Sequence, residues 1–431
     1  DDLSRGLGDV YKRQVQVVCG APNARAGMKG VFAPAGAYVP GIDLVLKAGN
    51  IRGQDSNGML CSEREMMISD EHDGIIDLDQ DAPVGESFAA WAGLDDPVIE
   101  IAITPNRADC LGVRGVARDL AAAGYGTLKP LDTSAHEGSF DSPVTWRLDL
   151  DGAEHLAPLI TGIAFRGVTN GPSPDWMARR LNAIGQRPIS ALVDITNYVM
   201  FDLGRPLHAY DIDKIHGSEL IVRQADGGEP FAALNEKTYE MEAGMITIGD
   251  AEGVDDLAGV MGGERTGVSD DTTGMFLEIA VFDPISVATT GRKLNLNSDA
   301  RYRFERGLDS ESPVWAAGHI ARMVTEICGG EASVPVTMGP GVDWKRSIFL
   351  GSGKVESLTG MKIDTAEQQR ILEALGFTVT SADGGFDVAP PSWRGDIDGA
   401  ADLVEEIARI RGFDHLPMDH MPREDVVAKP S

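Results

Sequence analysis

The chain has 431 residues, 42% of them hydrophobic and 24% charged, the balance of a globular protein of roughly two to four domains. It has no run of about 18 apolar residues and no apolar signal core in its opening DDLSRGLGDVYKRQ, so nothing marks a membrane span or a secretory leader. A net charge of −29 and a pI near 4.5 exclude a generic nucleic-acid binder with a basic stripe, and RNA contact is left to a local patch or a partner.

In chain order, residues 1–14 show neither strand alternation nor a helical stripe and read as a foreign or artefactual leader. Residues 15–93 read as β-rich. Val15, Val17 and Val18 form a short strand, GMKGVFAPAGAYVPG has the Gly/Pro punctuation of small-barrel turns, and Ile42, Leu44 and Leu46 alternate. Residues 94–139 form a helical connecting module, with Asp109 as cap and Gly124 as terminator of a helix carrying Leu111, Val116 and Leu120. Asn106, Arg107 and Asp109 read as turn and helix-start residues.

Residues 140–341 form the largest unit, an α+β domain. Strands are expected at 144–150, 155–165, 219–224, 244–248 and 275–281, and helices at 174–183, 190–201 and 315–328. Ser190 is placed to cap the second helix, and Gly204, Arg205 and Pro206 stop it. Asn197 lies late in that helix and His208 just past the break, where a ring can enter a cleft. Taken alone, both read as ordinary satisfied polar residues. Gly259–Gly263 is a turn that brings backbone close to a ligand or to another strand, without the setting of a phosphate loop.

Residues 342–420 form a small α+β unit. Thr365 and Gln368 make a capping-box pair before Ile371 and Leu372, strands follow at 377–380 and 386–389, and a helix runs over 399–410. Residues 421–431 read as a truncated linker. Asp402, Glu405 and Glu406 have i, i+3, i+4 spacing on that last helix, with Asp396 just before it. Four hard oxygen donors suit Mg²⁺; an exposed acidic face is the alternative. Arg292, Lys293, Arg301, Arg303 and Arg306 are the most basic cluster, equally suited to a nucleic-acid end or to internal ion pairs. The four cysteines are far apart, without metal-ligand spacing, and read as reduced thiols of a cytoplasmic protein.

DITNYVMFDLGRPLHAYD resembles the editing-domain motif of the bacterial phenylalanyl-tRNA synthetase β subunit. LAGVMGGERTGVSDDTT, FLEIAVFDP and SDARYRFERGLD repeat that resemblance in the family's order. PPSWRGDIDGAADLVEEIARIRGFDHLP is similar to its B5 domain, and VVCGAPNARAGMKGVFAPAGAYVPG with GMLCSERE to its OB-like tRNA-binding domain. The resemblance covers most of residues 15–420. It implies a multidomain α+β chain: a partial OB-like β-barrel missing its first strands, a large B3/B4 editing domain and a small B5 domain, forming an N-terminal half fragment.

The same resemblance implies the chemistry. The aminoacylation site, with ATP and Mg²⁺, is on an α subunit of an α2β2 assembly, and this chain would hydrolyse misacylated Tyr-tRNA(Phe). Glu278 matches the residue that senses the tyrosine hydroxyl, and a phenol bonded to a carboxylate is a charge-assisted pair. His208 and Asn197 match residues that place water or the ester. Gly262 admits the substrate, and Ala300 lines the pocket. Ser298 stands where many members have Thr. Asp396, Asp402, Glu405 and Glu406 match the Mg²⁺ residues shared with α. Rival readings are a non-catalytic module that assembles tRNA and α, and a free-standing editing hydrolase.

Overall fold

The structure, a computed structural model, describes residues 5–10 and 13–418. The expected linker at 421–431 lies outside them. The chain divides into two compact units, residues 1–100 and 101–431.

The first unit is built of short antiparallel ribbons. Its strands are β1 (Arg5–Val10), β2 (Arg13–Val18), β3 (Lys29–Gly30), β4 (Phe32–Pro34), β5 (Tyr38–Val39), β6 (Leu44–Val45), β7 (Gly49–Ile51), β8 (Gln54–Ser56), β9 (Gly58–Leu60) and β10 (Asp77–Leu78), followed by α1 (Phe88–Trp91). The pairs are β1–β2, β3–β10, β4–β9, β5–β6 and β7–β8. These ribbons do not close on one another, which fits a partial OB-like fold. Val31, Ala33, Val39 and Cys61 form its small core. Where the sequence showed no alternation, Arg5–Val10 pairs in register with Arg13–Val18, because backbone pairing in a ribbon needs no apolar face.

The second unit opens with α2 (Val113–Ala122) and β11 (Thr145–Asp149), then β12 (Leu159–Arg166), α3 (Asp175–Ala183), α4 (Ala191–Leu203) and β13 (His208–Asp211). Next come β14 (Glu219–Gln224), β15 (Pro230–Ala233), β16 (Lys237–Glu240), β17 (Ile246–Gly249), β18 (Val254–Leu257), β19 (Met261–Gly262) and β20 (Gly274–Val281). Helices α5 (Pro284–Lys293), α6 (Asp299–Phe304) and α7 (Ser312–Cys328) lead to β21 (Glu331–Ala332) and β22 (Val336–Met338).

Two five-stranded sheets result. One has the order β11-β14-β17-β18-β19; the other is β13-β20-β12-β21, with β22 also on β12. β20 shows how they share the core. Its alternation sends Phe276 and Ala280 to a core that also holds Leu220, Val222 and Ile248 of the first sheet. Met275, Leu277 and Ile279 face the opposite way, onto Leu192 and Ile195 of α4 and Ile320 of α7. Both faces of β20 are therefore buried, which is why its sequence is an almost unbroken apolar run.

The chain continues with β23 (Ile348–Gly351), α8 (Lys354–Thr359), α9 (Thr365–Ala374), β24 (Thr378–Ala382), β25 (Gly385–Ala389) and α10 (Ala400–Arg411). The sheet order is β23-β25-β24, over a core of Leu350, Ile371, Val388 and Leu403. Among the described residues, no helix is long and apolar enough to cross a membrane. All four cysteines are free and buried.

Several expected details differ. The strand expected from residue 155 begins at Leu159, because Glu154–Leu156 is a 3-10 turn. Asp364, rather than Thr365, caps α9, accepting from the Glu367 amide at 2.8 Å. Asp109 does not cap α2, whose cap position is Gly112; it pairs with Arg107 at 2.9 Å and Arg118 at 3.3 Å. Ser190 sits at the cap of α4 without a capping bond. Buried Asp194 accepts from the Ile189 amide at 2.9 Å instead, and the Ser190 hydroxyl accepts from Asn170 at 3.2 Å.

Candidate active site

β13 lies antiparallel to β20, with His208 directly opposite Glu278 and Tyr210 opposite Phe276. Residues opposite one another share a face of the sheet, so His208, Tyr210 and Glu278 all point toward the other sheet. On the far side of β20, Gly162 of β12 is opposite Glu278. A Cβ there would come within 2.1 Å of the Phe276 ring and 2.7 Å of Trp146 Nε1. The missing side chain is what lets these two aromatic groups pack beside the carboxylate.

The facing sheet brings β18 and β19, where Asp256 pairs with Gly262. Gly262 is where the imidazole rests: a Cβ would lie 2.1 Å from His208 Cε1 and 2.6 Å from Nδ1. The Gly-rich turn thus brings backbone against another strand and its histidine. Asp256 Oδ2 stands 3.7 Å from His208 Nδ1. The Tyr210 hydroxyl donates to Glu278 Oε2 at 2.8 Å, and its ring meets the imidazole edge-on at 4.4 Å. His208 Nε2, Trp146 Nε1, and Arg205 Nε and Nη2 are buried without a hydrogen-bond partner among the described residues. Such groups are costly unless something polar meets them.

Burial also sets the charges. Glu278 is 5% exposed, and burial pushes its carboxyl up to about 7, against the Tyr210 hydrogen bond and the Arg205 charge, which pull it down. Asp256 is pushed well above the carboxylate range by burial, then by nearby Glu278 and Asp255. Burial pushes His208 down to about 4, so its imidazole is neutral near pH 7 and able to accept a proton. Burial lowers the Arg205 guanidinium to about 10, so it stays charged.

Ser298 and Ala300 flank the same core. The Ser298 hydroxyl caps α6, accepting from the Arg301 amide at 3.0 Å and donating to the Val260 carbonyl at 2.5 Å. That ties α6 to the turn bearing Gly262. Ala300 packs against the core between the sheets. Asn197 is half-buried on α4 and forms no side-chain hydrogen bond with a described residue, so no hydrogen bond links it to His208 or Glu278. Sequence reasoning missed Tyr210, Asp256, Arg205 and Trp146. A tyrosine two residues along the strand from His208 was the available signal.

The expected Mg²⁺ carboxylates are not gathered. Among the described residues no three of them bring ligand atoms within 4.8 Å of one another. Arg394 binds both Asp396, at 2.8 and 2.7 Å, and Glu406. Arg409 adds to Glu406 at 2.5 Å and to Asp119 at 2.7 Å. Asp402 accepts from the Asp398 and Gly399 amides at the start of α10, and Glu405 is exposed. Guanidinium groups stand where a cation would, so this donor set does not fit one. Asp109, Cys110 and Asp119 do converge, but Arg107, Arg118 and Arg409 neutralise them.

In the basic cluster, Arg301 and Arg303 are buried. They bind the carbonyls of Leu296, at 2.5 Å, and Leu111, at 3.1 Å, which favours internal use over a tRNA contact. Two cavities of about 360 Å³ lie elsewhere, one beside His136 and Thr325 and one beside Arg114 and Tyr125.

Comparison with known proteins adds the family. The phenylalanine–tRNA ligase β subunit of Cereibacter sphaeroides is 52% identical over 423 residues, which is 98% of this chain and 52% of that protein. The β subunits of Brucella abortus strain 2308 and Zymomonas mobilis are each 50% identical, over 99% and 96% of this chain and 52% of each relative. This chain belongs to the phenylalanine–tRNA ligase β-subunit family. It spans about half the length of the curated relatives it matches. Within the ligase family's organisation, residues 2–87 match a putative tRNA binding domain, 156–329 a B3/4 domain and 348–413 a tRNA synthetase B5 domain. The first match takes in most of the stretch read as a leader, and the second holds every candidate active-site residue except Trp146. An N-terminal fragment of the Pyrococcus horikoshii phenylalanyl-tRNA synthetase β subunit resembles the chain at 18% identity and a TM-score of 0.39, over 76% of this chain and 95% of that one.

Proposed function

We propose that this chain is the editing and tRNA-handling part of a phenylalanine–tRNA ligase β subunit and hydrolyses Tyr-tRNA(Phe). In this reading an α partner attaches phenylalanine with ATP and Mg²⁺ in a cytoplasmic α2β2 assembly. The need follows from chemistry: an apolar phenylalanine pocket rejects the added hydroxyl of tyrosine by only about a hundredfold. A second site must hold that hydroxyl and cleave the ester.

The observation that supports this reading best is the pair His208 and Glu278, opposite one another on adjacent strands, with His208 Nε2 buried and unpartnered among the described residues. Opposed Cβ atoms are about 5 Å apart, so one tyrosyl ester can meet both side chains. Glu278 accepts the phenolic O–H. Neutral His208 takes a proton from a water as its oxygen adds to the ester carbonyl. The ester C–O bond then breaks, and the proton passes to the departing ribose oxygen. Gly262, Ser298 and Ala300 shape the site, and Asn197 is assigned no step, because it shares no hydrogen bond with His208 or Glu278. Asp396, Asp402, Glu405 and Glu406 are not assigned a metal step, because their partners are arginines and backbone amides.

The test is deacylation of Tyr-tRNA(Phe) by the assembled ligase and by its His208→Ala variant. Hydrolysis well above the spontaneous rate, lost in the variant by about a hundredfold or more, supports the reading. Hydrolysis no faster than spontaneous, with tRNA binding intact, would leave a non-catalytic assembly module.

A further inference from the structure

We propose that Tyr210 is a positioning residue of the tyrosine sensor: its hydroxyl occupies one oxygen of Glu278 and turns the other toward the incoming phenol. The inference rests on the editing function proposed above and names a group that sets its substrate preference.

Tyr210 is fully buried and touches both reacting partners. Its hydroxyl holds Glu278 Oε2 at 2.8 Å, across 68 residues of sequence, and its ring buttresses the His208 imidazole at 4.4 Å and 85°. The bond runs diagonally across β13 and β20, between residues offset by two positions, which is the reach of a long aromatic side chain. A carboxylate has room for about four donors. Among the described residues only Oε2 is engaged, and none donates to Oε1. The second oxygen is therefore free to accept, in an orientation the first bond fixes. Tyr210 is a phenol already bound to the carboxylate that would bind the substrate's phenol, so the geometry of that contact exists within the fold.

The bond also has an electrical consequence. Glu278 faces Tyr210 and His208 on β13, Arg205 on the segment before it, and Asp256 on β18; Asp255 beside it acts on Asp256 and Tyr210 and is itself bound by Arg265 and Thr266. The Tyr210 bond and the Arg205 charge favour the ionised carboxyl, while burial opposes it. Losing the hydroxyl shifts Glu278 toward its protonated form, a poorer acceptor. A tyrosine that merely satisfied its own hydroxyl in the core would affect both esters alike.

The experiment compares wild-type ligase with Tyr210→Phe, which removes one oxygen and keeps the ring, on Tyr-tRNA(Phe) and Phe-tRNA(Phe) from about pH 6 to 9. The proposal expects kcat/KM for the tyrosyl ester to fall by about tenfold, the phenylalanyl ester to stay within about twofold, and the pH at which discrimination develops to rise. It also expects Tyr210→Phe to have no further effect on discrimination in a Glu278→Gln background. Equal losses on both esters, a gain on the tyrosyl ester, or an unmoved pH midpoint would overturn it. Failure of the wild type to hydrolyse either ester would instead defeat the functional reading beneath it.

Discussion

His208 rests on Gly262, the residue whose missing side chain leaves room for its imidazole: a Cβ there would lie 2.1 to 2.9 Å from three ring atoms. Gly262→Ala must displace the ring, because the Cβ belongs to backbone paired with Asp256. A shift of about 1 Å in a reacting group costs on the order of a hundredfold in rate. Deacylation of both esters should fall by about that factor, with a melting temperature close to wild type.

Discrimination should depend on pH. With Glu278 raised to about 7 by burial, its ionised form grows as pH rises through 7. The ratio of tyrosyl to phenylalanyl hydrolysis should therefore climb between about pH 6 and 8 and then level. With His208 lowered to about 4, the base itself should stay neutral across that range. Rate–pH profiles on the two esters separate these effects.

The same burial costs stability. A carboxyl whose folded value is raised keeps its proton in the folded state where the unfolded chain has already released it. The folded state binds more protons, so stability falls as pH rises from the ordinary 4.5 to about 7. Glu278→Gln should thus stabilise the protein by about 1–3 kcal/mol near pH 8 and change little near pH 4, measured by denaturant unfolding at both.

Much of the large domain was legible, and the misses have physical causes. Strand β14 was expected at its observed bounds, 219–224, and β20 within one residue, at 274–281, because β-branched and apolar runs are local signals. Strands β13, β18 and β19 were not expected. They have four, four and two residues, too few for a period to show; β13 exists through pairing with distant β20, and β18 and β19 through short hairpins with β17 and with each other. The β13–β20 pairing creates the Tyr210–Glu278 bond and the packing of one sheet on the other buries Asp256, so neither could be read locally. Asn197, His208, Gly262, Glu278 and Ala300 came from family resemblance, not from pattern.

The acidic helix shows the limit of spacing. Asp402, Glu405 and Glu406 lie on one side of α10, but Leu403, Val404 and Ile407 fix the buried stripe. Glu406 turns inward with them, Glu405 stays outside, and one helical step of about 100° separates the two. Arg394→Ala should leave the buried Glu406 charge short of a partner and destabilise by about 3–5 kcal/mol, while Glu405→Ala should change stability by less than about 0.5 kcal/mol. Thermal unfolding of the two variants checks this, with and without added Mg²⁺; the arginine pairing predicts no Mg²⁺ dependence of either difference.

The central claim is that Glu278 reads the hydroxyl separating tyrosine from phenylalanine. Its most direct test is deacylation of Tyr-tRNA(Phe) and Phe-tRNA(Phe) by wild-type ligase and Glu278→Ala, at fixed Mg²⁺, salt and pH. Loss of a hydrogen bond to a charged group costs about 1.5–3 kcal/mol, or roughly ten- to a hundredfold in rate. The account predicts that loss for the tyrosyl ester and no comparable loss for the phenylalanyl ester; an equal effect on both would contradict it.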